Sequence, residues 1–156
     1  MQFDNRNNIL RLNIRRYLVL LIFASILGLL IFTNVLENPL WGINKTGAIV
    51  IVVLFYIIYL ILTYIINYNY FYYSDEGNKI VIRFVSLRPF NSKRNAIEIS
   101  KKDYNGYKIN QSFFNFKEEL VISVQTKKGV AKYPPVSITG LTPKQKNTLK
   151  KSLNQL

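Results

Sequence analysis

The sequence offers few side chains that could carry out catalytic or metal chemistry. Its 156 residues include neither cysteine nor histidine, which excludes disulfides, thiolate or imidazole metal ligands, and Ser-His-Asp or Cys-His catalysis within this chain. The acidic pairs are poor acid–base candidates, because Glu118 and Glu119 start a predicted strand and point to opposite faces, and Asp75 and Glu76 occupy a predicted turn. The seven glycines form no phosphate-binding loop. We therefore predict a protein that is not an enzyme and uses no cofactor and no metal.

The basic residues are more informative. After residue 66 the chain has 16 lysines and arginines against six acids, a net charge of +10. Arg88, Lys93 and Arg94 cluster in the turn RPFNSKRN. We favour a solvated charged turn for them, and keep all three as candidate contacts for anionic lipid or a partner. Beside an anionic leaflet each nearby base contributes about 1 kcal/mol, which predicts unspecific electrostatic lipid binding. Aromatic residues do not interleave with the basic ones, so we predict no nucleic-acid binding.

Two long apolar runs, residues 17–36 and 48–66, contain no charged side chain. The second run would be about 28 Å long as a helix at ~1.5 Å per residue, which matches the hydrocarbon core of a bilayer. The alternative is a pair of buried helices, but a tail of this size could not cover both on all faces. The first run also has features of a signal peptide, yet its apolar region is too long and no A-x-A site follows. We predict two transmembrane helices, the first an uncleaved anchor.

The flanking charges predict the topology. Four arginines precede the first run within the basic segment 1–16, whereas the loop 37–47 has one glutamate, Glu37, and one lysine, Lys45. Because lysine and arginine are enriched on the cytoplasmic side, both termini are expected in the cytoplasm and the short loop outside. The apolar runs and their flanking charges therefore predict a two-pass membrane protein.

Three residues are candidates for helix packing within the membrane. Ala24 and Gly28 are four residues apart, a spacing of small residues that allows two helices to approach closely. Tyr56 places a hydroxyl near the middle of the second run, where an unpaired hydroxyl is costly, so we expect it to bond a neighbouring helix. That helix is either the other helix of the hairpin, which we favour for Ala24 and Gly28, or a helix of a partner.

The tail, residues 67–156, has the alternating pattern of a β-sheet. The aromatic stretch NYNYFYY suits both a membrane–water interface and a first strand, and the turn SDEGN leads into KIVIRFVSL. Further alternation predicts six or seven antiparallel strands. One of them is VAKYPP, whose two prolines end the strand or keep it at the edge of the sheet. A helix is predicted over 142–156, with Thr142 and Gln145 forming a capping box and Leu149, Leu153 and Leu156 forming an apolar stripe. A small barrel or sandwich closed by this helix is the expected fold.

Over roughly residues 48–156, this order of elements resembles the bacterial pleckstrin-homology (PH-like) membrane proteins. The resemblance lies in the tyrosine-rich exit NYNYFYY into SDEGNKIVIR and in the closing VSITGLTPKQKNTLKKSL. It implies a cytoplasmic all-β PH-like barrel and no catalytic residues. The K/R-x-R pattern of the PH lipid site is missing, since Lys79 and Arg83 are separated by apolar residues.

Two functions remain open on these observations. The first is a non-enzymatic accessory or scaffold subunit, whose hairpin packs against a larger integral membrane protein complex while the PH-like domain contacts cytoplasmic partners. The second is a membrane-anchored sensor, whose basic domain binds anionic lipid head groups. A stoichiometric partner after gentle purification would favour the first, and a lone protein that retains anionic lipid would favour the second.

Overall fold

A computed structural model describes residues 1–33, 44–88 and 93–156. Within these ranges the chain forms three α-helices: α1 (Arg6–Phe32), α2 (Lys45–Ile66) and α3 (Pro143–Asn154). The described strands are β1 (Gln2–Asp4), β2 (Asn69–Ser74), β3 (Lys79–Ser86), β4 (Arg94–Ser100), β5 (Tyr104–Ser112), β6 (Lys117–Thr126), β7 (Gly129–Lys132) and β8 (Val136–Ser137). The chain divides into a helical unit, Arg11–Tyr64, and a β unit made of Met1–Leu10 and Ile65–Leu156.

The helical unit contains two helices that are long and apolar enough to cross a membrane, as the sequence predicted. Their apolar side chains are largely exposed; Phe32, for example, is 88% exposed. The ring of Phe23 on α1 lies 5.1 Å from that of Tyr56 on α2. Lys45, at the start of α2, donates hydrogen bonds to the carbonyl oxygens of Ile31 and Thr33 (2.9 and 3.2 Å), which satisfies acceptors at the C-terminal end of α1. Most of the predicted external loop, 37–47, lies outside the described residues.

The β unit contains two antiparallel sheets. The first has the order β1-β2-β3-β4, and the second has β5-β6-β7 with β8 paired to β6. Neither sheet closes on itself. The predicted antiparallel strands and C-terminal helix are therefore confirmed, whereas closure into a barrel, which depends on pairing between the first and last strands, stays a prediction.

One hydrophobic core fills the β unit, and both sheets and α3 contribute to it. Alternation in the sequence predicts inward-facing residues on three strands, and most of them are buried: Ile80 and Ile82 on β3, Ile97 and Ile99 on β4, and Leu120, Ile122 and Val124 on β6. Phe84, predicted on the same face of β3, packs against the core but is only partly buried. The prediction that the aromatic stretch NYNYFYY lies at a membrane–water interface is wrong for two of its residues. Phe71 and Tyr73 are fully buried in this core and cannot lie at an interface. Their direction follows from strand alternation, which points Tyr70 and Tyr72 to the other face.

Helix α3 begins as its sequence predicted. Thr142 is the N-cap. Its side chain accepts a hydrogen bond from the Gln145 amide, and the side-chain oxygen of Gln145 accepts one from the Thr142 amide. Leu149 and Leu153 are buried in the core, but Leu156 is 37% exposed. The apolar stripe is therefore shorter than expected, because α3 ends at Asn154 and Leu156 lies beyond it.

The N-terminal residues were expected to form a basic segment, 1–16, ahead of the first membrane span. Instead, β1 pairs with β2 at the edge of the first sheet, and α1 already begins at Arg6. Asn5 is almost fully buried between them. Its side-chain amide donates to the carbonyl of Asn69 (3.0 Å), and its side-chain oxygen accepts from the amide of Phe71 (2.8 Å). The first ten residues are thus part of the β unit.

Candidate functional site

The predicted helix-packing residues are not brought together in the helical unit. Tyr56 contacts α1 through its ring, against Phe23, and within the described residues its hydroxyl has no hydrogen-bond partner. Ala24 is exposed, and a Cβ atom added at Gly28 would have no heavy atom within 4 Å. The expectation that Ala24 and Gly28 pack against the second helix of the same hairpin is therefore not met.

Helix geometry explains this arrangement. Ile26 on α1 lines an apolar groove together with residues of α2. Gly28 is two residues further along, and at 3.6 residues per turn it lies on nearly the opposite side of α1 from Ile26. The small residues thus face away from α2. The groove itself has a volume of about 430 Å³ and offers only apolar and aromatic contacts; it is lined by Phe23, Ile26, Val52, Phe55, Ile58, Tyr59 and Leu62.

The predicted basic cluster is only partly assembled. Residues 89–92, between Arg88 and Lys93, lie outside the described residues. Arg88 follows β3, where its amide donates to the hydroxyl of Ser86 (3.3 Å), and Lys93 precedes β4 and is exposed. Arg94 is the first residue of β4 and lines a groove in the β unit together with Arg6 and Arg83.

This arginine groove has a volume of about 670 Å³ and lies on the face of the first sheet that points away from the core. Strand pairing builds it in two rows. Arg83 is paired between Tyr72 and Ala96 in one row, and Val85 is paired between Tyr70 and Arg94 in the other. Arg6, the first residue of α1, adds a third guanidinium to the groove. It lies two residues after the end of β1, the edge strand of the same sheet.

Aromatic rings position part of this charge. The guanidinium carbon of Arg83 lies 5.8 Å from the centroid of the Tyr72 ring, within the range of a cation–π interaction. The Tyr70 hydroxyl donates to Asp4 (3.4 Å). Burial, followed by the neighbouring Asp4 carboxylate, raises the pKa of Tyr70, so the hydroxyl stays protonated and neutral. Three arginines therefore face this groove with one carboxylate at its edge.

The chemistry of the groove suits the binding of an anion. Guanidinium groups donate several hydrogen bonds in a fixed plane and suit phosphate or carboxylate groups. The lining itself contains no carboxylate, and the Asp4 carboxylate beside it accepts the hydrogen bond of the Tyr70 hydroxyl. Among the described residues there is also no group of three acidic side chains close enough to hold a metal ion.

Of the three groove arginines, only Arg94 is among the site residues predicted from the sequence. Arg83 was visible as an outward position on an alternating strand, but its importance depends on Tyr72 and Arg94 being its neighbours in the sheet. Arg6 gave no signal, because it lies 77 residues before Arg83 and was attributed to membrane topology. Register between strands that are distant in sequence brings these residues together.

Comparisons with family models, curated proteins and solved structures found no match for this chain. The resemblance to PH-like membrane proteins therefore stays a prediction from the pattern of strands and the helix entry.

Proposed function

We propose that this chain is a non-enzymatic accessory or scaffold subunit of a bacterial inner-membrane complex. Its two long helices anchor it as a two-pass membrane protein, and its PH-like β unit meets partners in the cytoplasm. The larger partner is an integral membrane protein complex.

One observation supports this proposal most strongly: the apolar faces of both long helices are uncovered. Side chains such as Leu29 and Phe55, each 62% exposed, would be unfavourable in water. A bilayer, or the helices of a partner within it, provides the required cover. The small residues Ala24 and Gly28 face away from α2, so they are available to another helix.

The charge distribution supports an orientation with both termini in the cytoplasm. Four arginines lie in the N-terminal part of α1, before the apolar run 17–36, and lysines and arginines follow α2. The segment 37–47, between the two apolar runs, carries a single lysine. A cysteine introduced at Asn38, in that segment, should react with an impermeant thiol reagent in intact cells, and a cysteine at Asn154 should not. Because the chain has no native cysteine, labelling reports each position directly. The reverse pattern would overturn the orientation.

Assembly with a partner is tested by Gly28→Leu in the full chain. The leucine side chain would fill the open space at Gly28 and keep a partner helix at a distance. We expect less of the complex to survive purification in a gentle detergent, measured by mass spectrometry of the co-purified proteins. Thr33→Leu is the matched control. Thr33 directly follows α1 and its amide bonds the carbonyl of Leu29 (3.0 Å), so the added apolar side chain lies roughly 140° around the helix axis from Gly28. Equal co-purification of both variants and the parent protein would contradict this role for Gly28.

The arginine groove favours a second candidate function, a membrane-anchored sensor of anionic lipid head groups. Tyr70, in its lining, follows the end of α2 by four residues, so the chain alone holds it within about 14 Å of Ile66. If α2 ends at the membrane surface, the groove is close to the head groups. Guanidinium groups there would attract phosphate.

The two functions are separated by the lipid that remains on the purified protein. Arg83→Gln with Arg94→Gln removes two charges from the groove, and Lys127→Gln with Lys128→Gln removes two exposed charges from the β6–β7 turn. A sensor should lose bound anionic lipid in native mass spectrometry only in the first variant, and should prefer one head group. Equal loss in both variants, together with release as salt rises, indicates unspecific electrostatics and favours the scaffold.

A further inference from the structure

The hairpin between β5 and β6 ends in three exposed phenylalanines, which we call the phenylalanine tip. Phe113, Phe114 and Phe116 are 39%, 90% and 63% exposed. No charged side chain lies between them, and the one other residue of the tip is Asn115. Apolar rings grouped in this way at the end of a hairpin are unfavourable in water, so a covering surface is expected.

The backbone conformation of the tip is one that phenylalanine does not favour. Phe113, Phe114 and Asn115 all have positive φ angles, of 55°, 53° and 67°. Glycine or asparagine adopts this left-handed conformation easily, whereas phenylalanine adopts it at a cost. The amide of Phe116 donates to the carbonyl of Phe113 (3.0 Å) and closes the turn. Turn formation alone does not favour phenylalanine here, so its presence points to a role of the rings beyond closing the turn.

Contacts within the β unit locate the tip at one particular end. Next to the tip, Glu118 accepts a hydrogen bond from the Ile138 amide (2.9 Å) and donates one from its own amide to Thr139 (3.0 Å). The adjoining Gly140 lies against Asn5, Asn69 and Ile9. The chain leaves the β unit after Leu10 and returns to it at Ile65. Asn5 and Ile9 lie just before the first of these connections to the long helices, and Asn69 lies just after the second.

We propose that the phenylalanine tip inserts into the interfacial layer of the same bilayer that α1 and α2 span. This inference rests on the proposed membrane anchor. The tip lies at the end of the β unit that is connected to both spans, and aromatic rings are favoured at membrane interfaces. Three side chains also provide too little area for a stable protein–protein interface, which buries about 800 Å² per partner. A lipid contact needs no such area, because the spans already hold the protein at the membrane.

The test places a single tryptophan at the tip of the full chain. Trp41, the one native tryptophan, is first replaced by phenylalanine, and Phe114→Trp is then compared with Val130→Trp in vesicles of ordinary and brominated phosphatidylcholine. Val130 is the matched control, since it is an apolar residue, 57% exposed, at the β6–β7 turn. The ten residues of β6 separate the two ends by about 33 Å.

Brominated lipid should reduce the emission of Phe114→Trp by about twofold or more, because an interfacial side chain lies ~5–10 Å into the boundary of the acyl region. Val130→Trp should be unaffected by the lipid and quenched by acrylamide in water. Equal acrylamide quenching of both variants would overturn the proposal. So would a Phe114→Trp signal that is shielded from acrylamide and from brominated lipid alike, since a protein surface would then cover the tip.

Failure of the membrane anchor is recognised separately. A chain that alkaline carbonate releases from native membranes is not anchored by its helices, and the proposal for the tip falls with it. A chain that stays in the membrane but shows a water-exposed tip leaves the anchor intact and overturns only the proposal for the tip.

Discussion

The hydroxyl oxygens of Tyr73, on β2, and Ser152, on α3, lie 2.7 Å apart in the interior of the β unit. Ser152 donates its own proton to the carboxylate of Asp75, so Tyr73 is the donor to Ser152. Asp75 in turn contacts the α-amine of Met1. Burial raises the pKa of Tyr73 to about 12, which keeps this donor protonated. The network connects the helix that covers the core to the first sheet and to the N-terminus.

Ser152→Ala should destabilise α3. It leaves the Tyr73 hydroxyl buried without its acceptor, and an unsatisfied buried polar group costs about 1–3 kcal/mol. Faster amide hydrogen exchange in α3 of the full chain is the expected result. Lys151→Ala changes an exposed neighbour on the same helix and should have little effect. Unchanged exchange in Ser152→Ala would show that the network does not hold the helix.

Asp75 makes stability depend on acidic pH. Burial alone would raise the pKa of this carboxyl, but hydrogen bonds from the Met1 amine and Ser152, and the positive charges of that amine and Lys101, lower it below its usual 3.8. A lowered pKa stabilises the fold above pH 3.8, and this contribution is lost as the pH falls through the folded-state value.

Asp75→Asn should therefore reduce stability at neutral pH and flatten its decline below about pH 4. Thermal unfolding of the full chain in detergent, measured across this range, provides the comparison. Glu76→Gln alters the exposed neighbour in the same turn and should keep the pH profile of the parent protein. A decline in Asp75→Asn as steep as that of the parent would assign the acid sensitivity to other groups.

Local patterns in the sequence identified most elements of the β unit. Alternation predicted the buried residues of β3, β4 and β6, because each strand has one face on the core. The entry into α3 was predicted because Thr142, Pro143 and Gln145 act within one turn. These features depend on residues that are close together in the chain.

The features that were missed depend on distant residues. Strand β1 has three residues, too few to alternate visibly, and it exists because it pairs with β2 about 70 positions later. The arginine groove likewise requires the register that brings Tyr72, Arg83 and Arg6 together. The phenylalanine tip was passed over because apolar residues in a short segment do not by themselves show whether they face the core or water.

Asn5→Ala should release the N-terminal segment from the β unit. The Asn5 side chain bonds both the amide of Phe71 and the carbonyl of Asn69, and it is 1% exposed. Losing these bonds should destabilise the contact by about 1–3 kcal/mol. The Phe71 amide should then exchange faster with solvent. Asn7→Ala, at an exposed position in the first turn of α1, is the control, and equal Phe71 protection in both variants would contradict this role for Asn5.

Gly140 should not tolerate even a methyl group. A Cβ atom at this position would lie 3.2 Å from the side-chain nitrogen of Asn5, 3.2 Å from the carbonyl oxygen of Asn69 and 3.4 Å from the Cδ1 atom of Ile9. Two of these neighbours are fixed by their mutual hydrogen bond, so the surroundings cannot yield easily. Gly140→Ala should therefore destabilise the β unit by about 1–3 kcal/mol, the usual cost of overpacking.

Gly28→Ala is the matched control for Gly140→Ala, because its new methyl group would meet no heavy atom within 4 Å. It should leave stability unchanged or raise it by up to about 1 kcal/mol, since alanine favours the helix over glycine. Thermal unfolding of both variants in the same detergent compares them directly. Gly140 does not have a positive φ angle, so alanine would cause no backbone strain there. A lower Tm of Gly140→Ala would therefore report the close contact alone. A Tm equal to that of Gly28→Ala would mean that the junction of Asn5, Asn69 and Ile9 has room that the structure does not show.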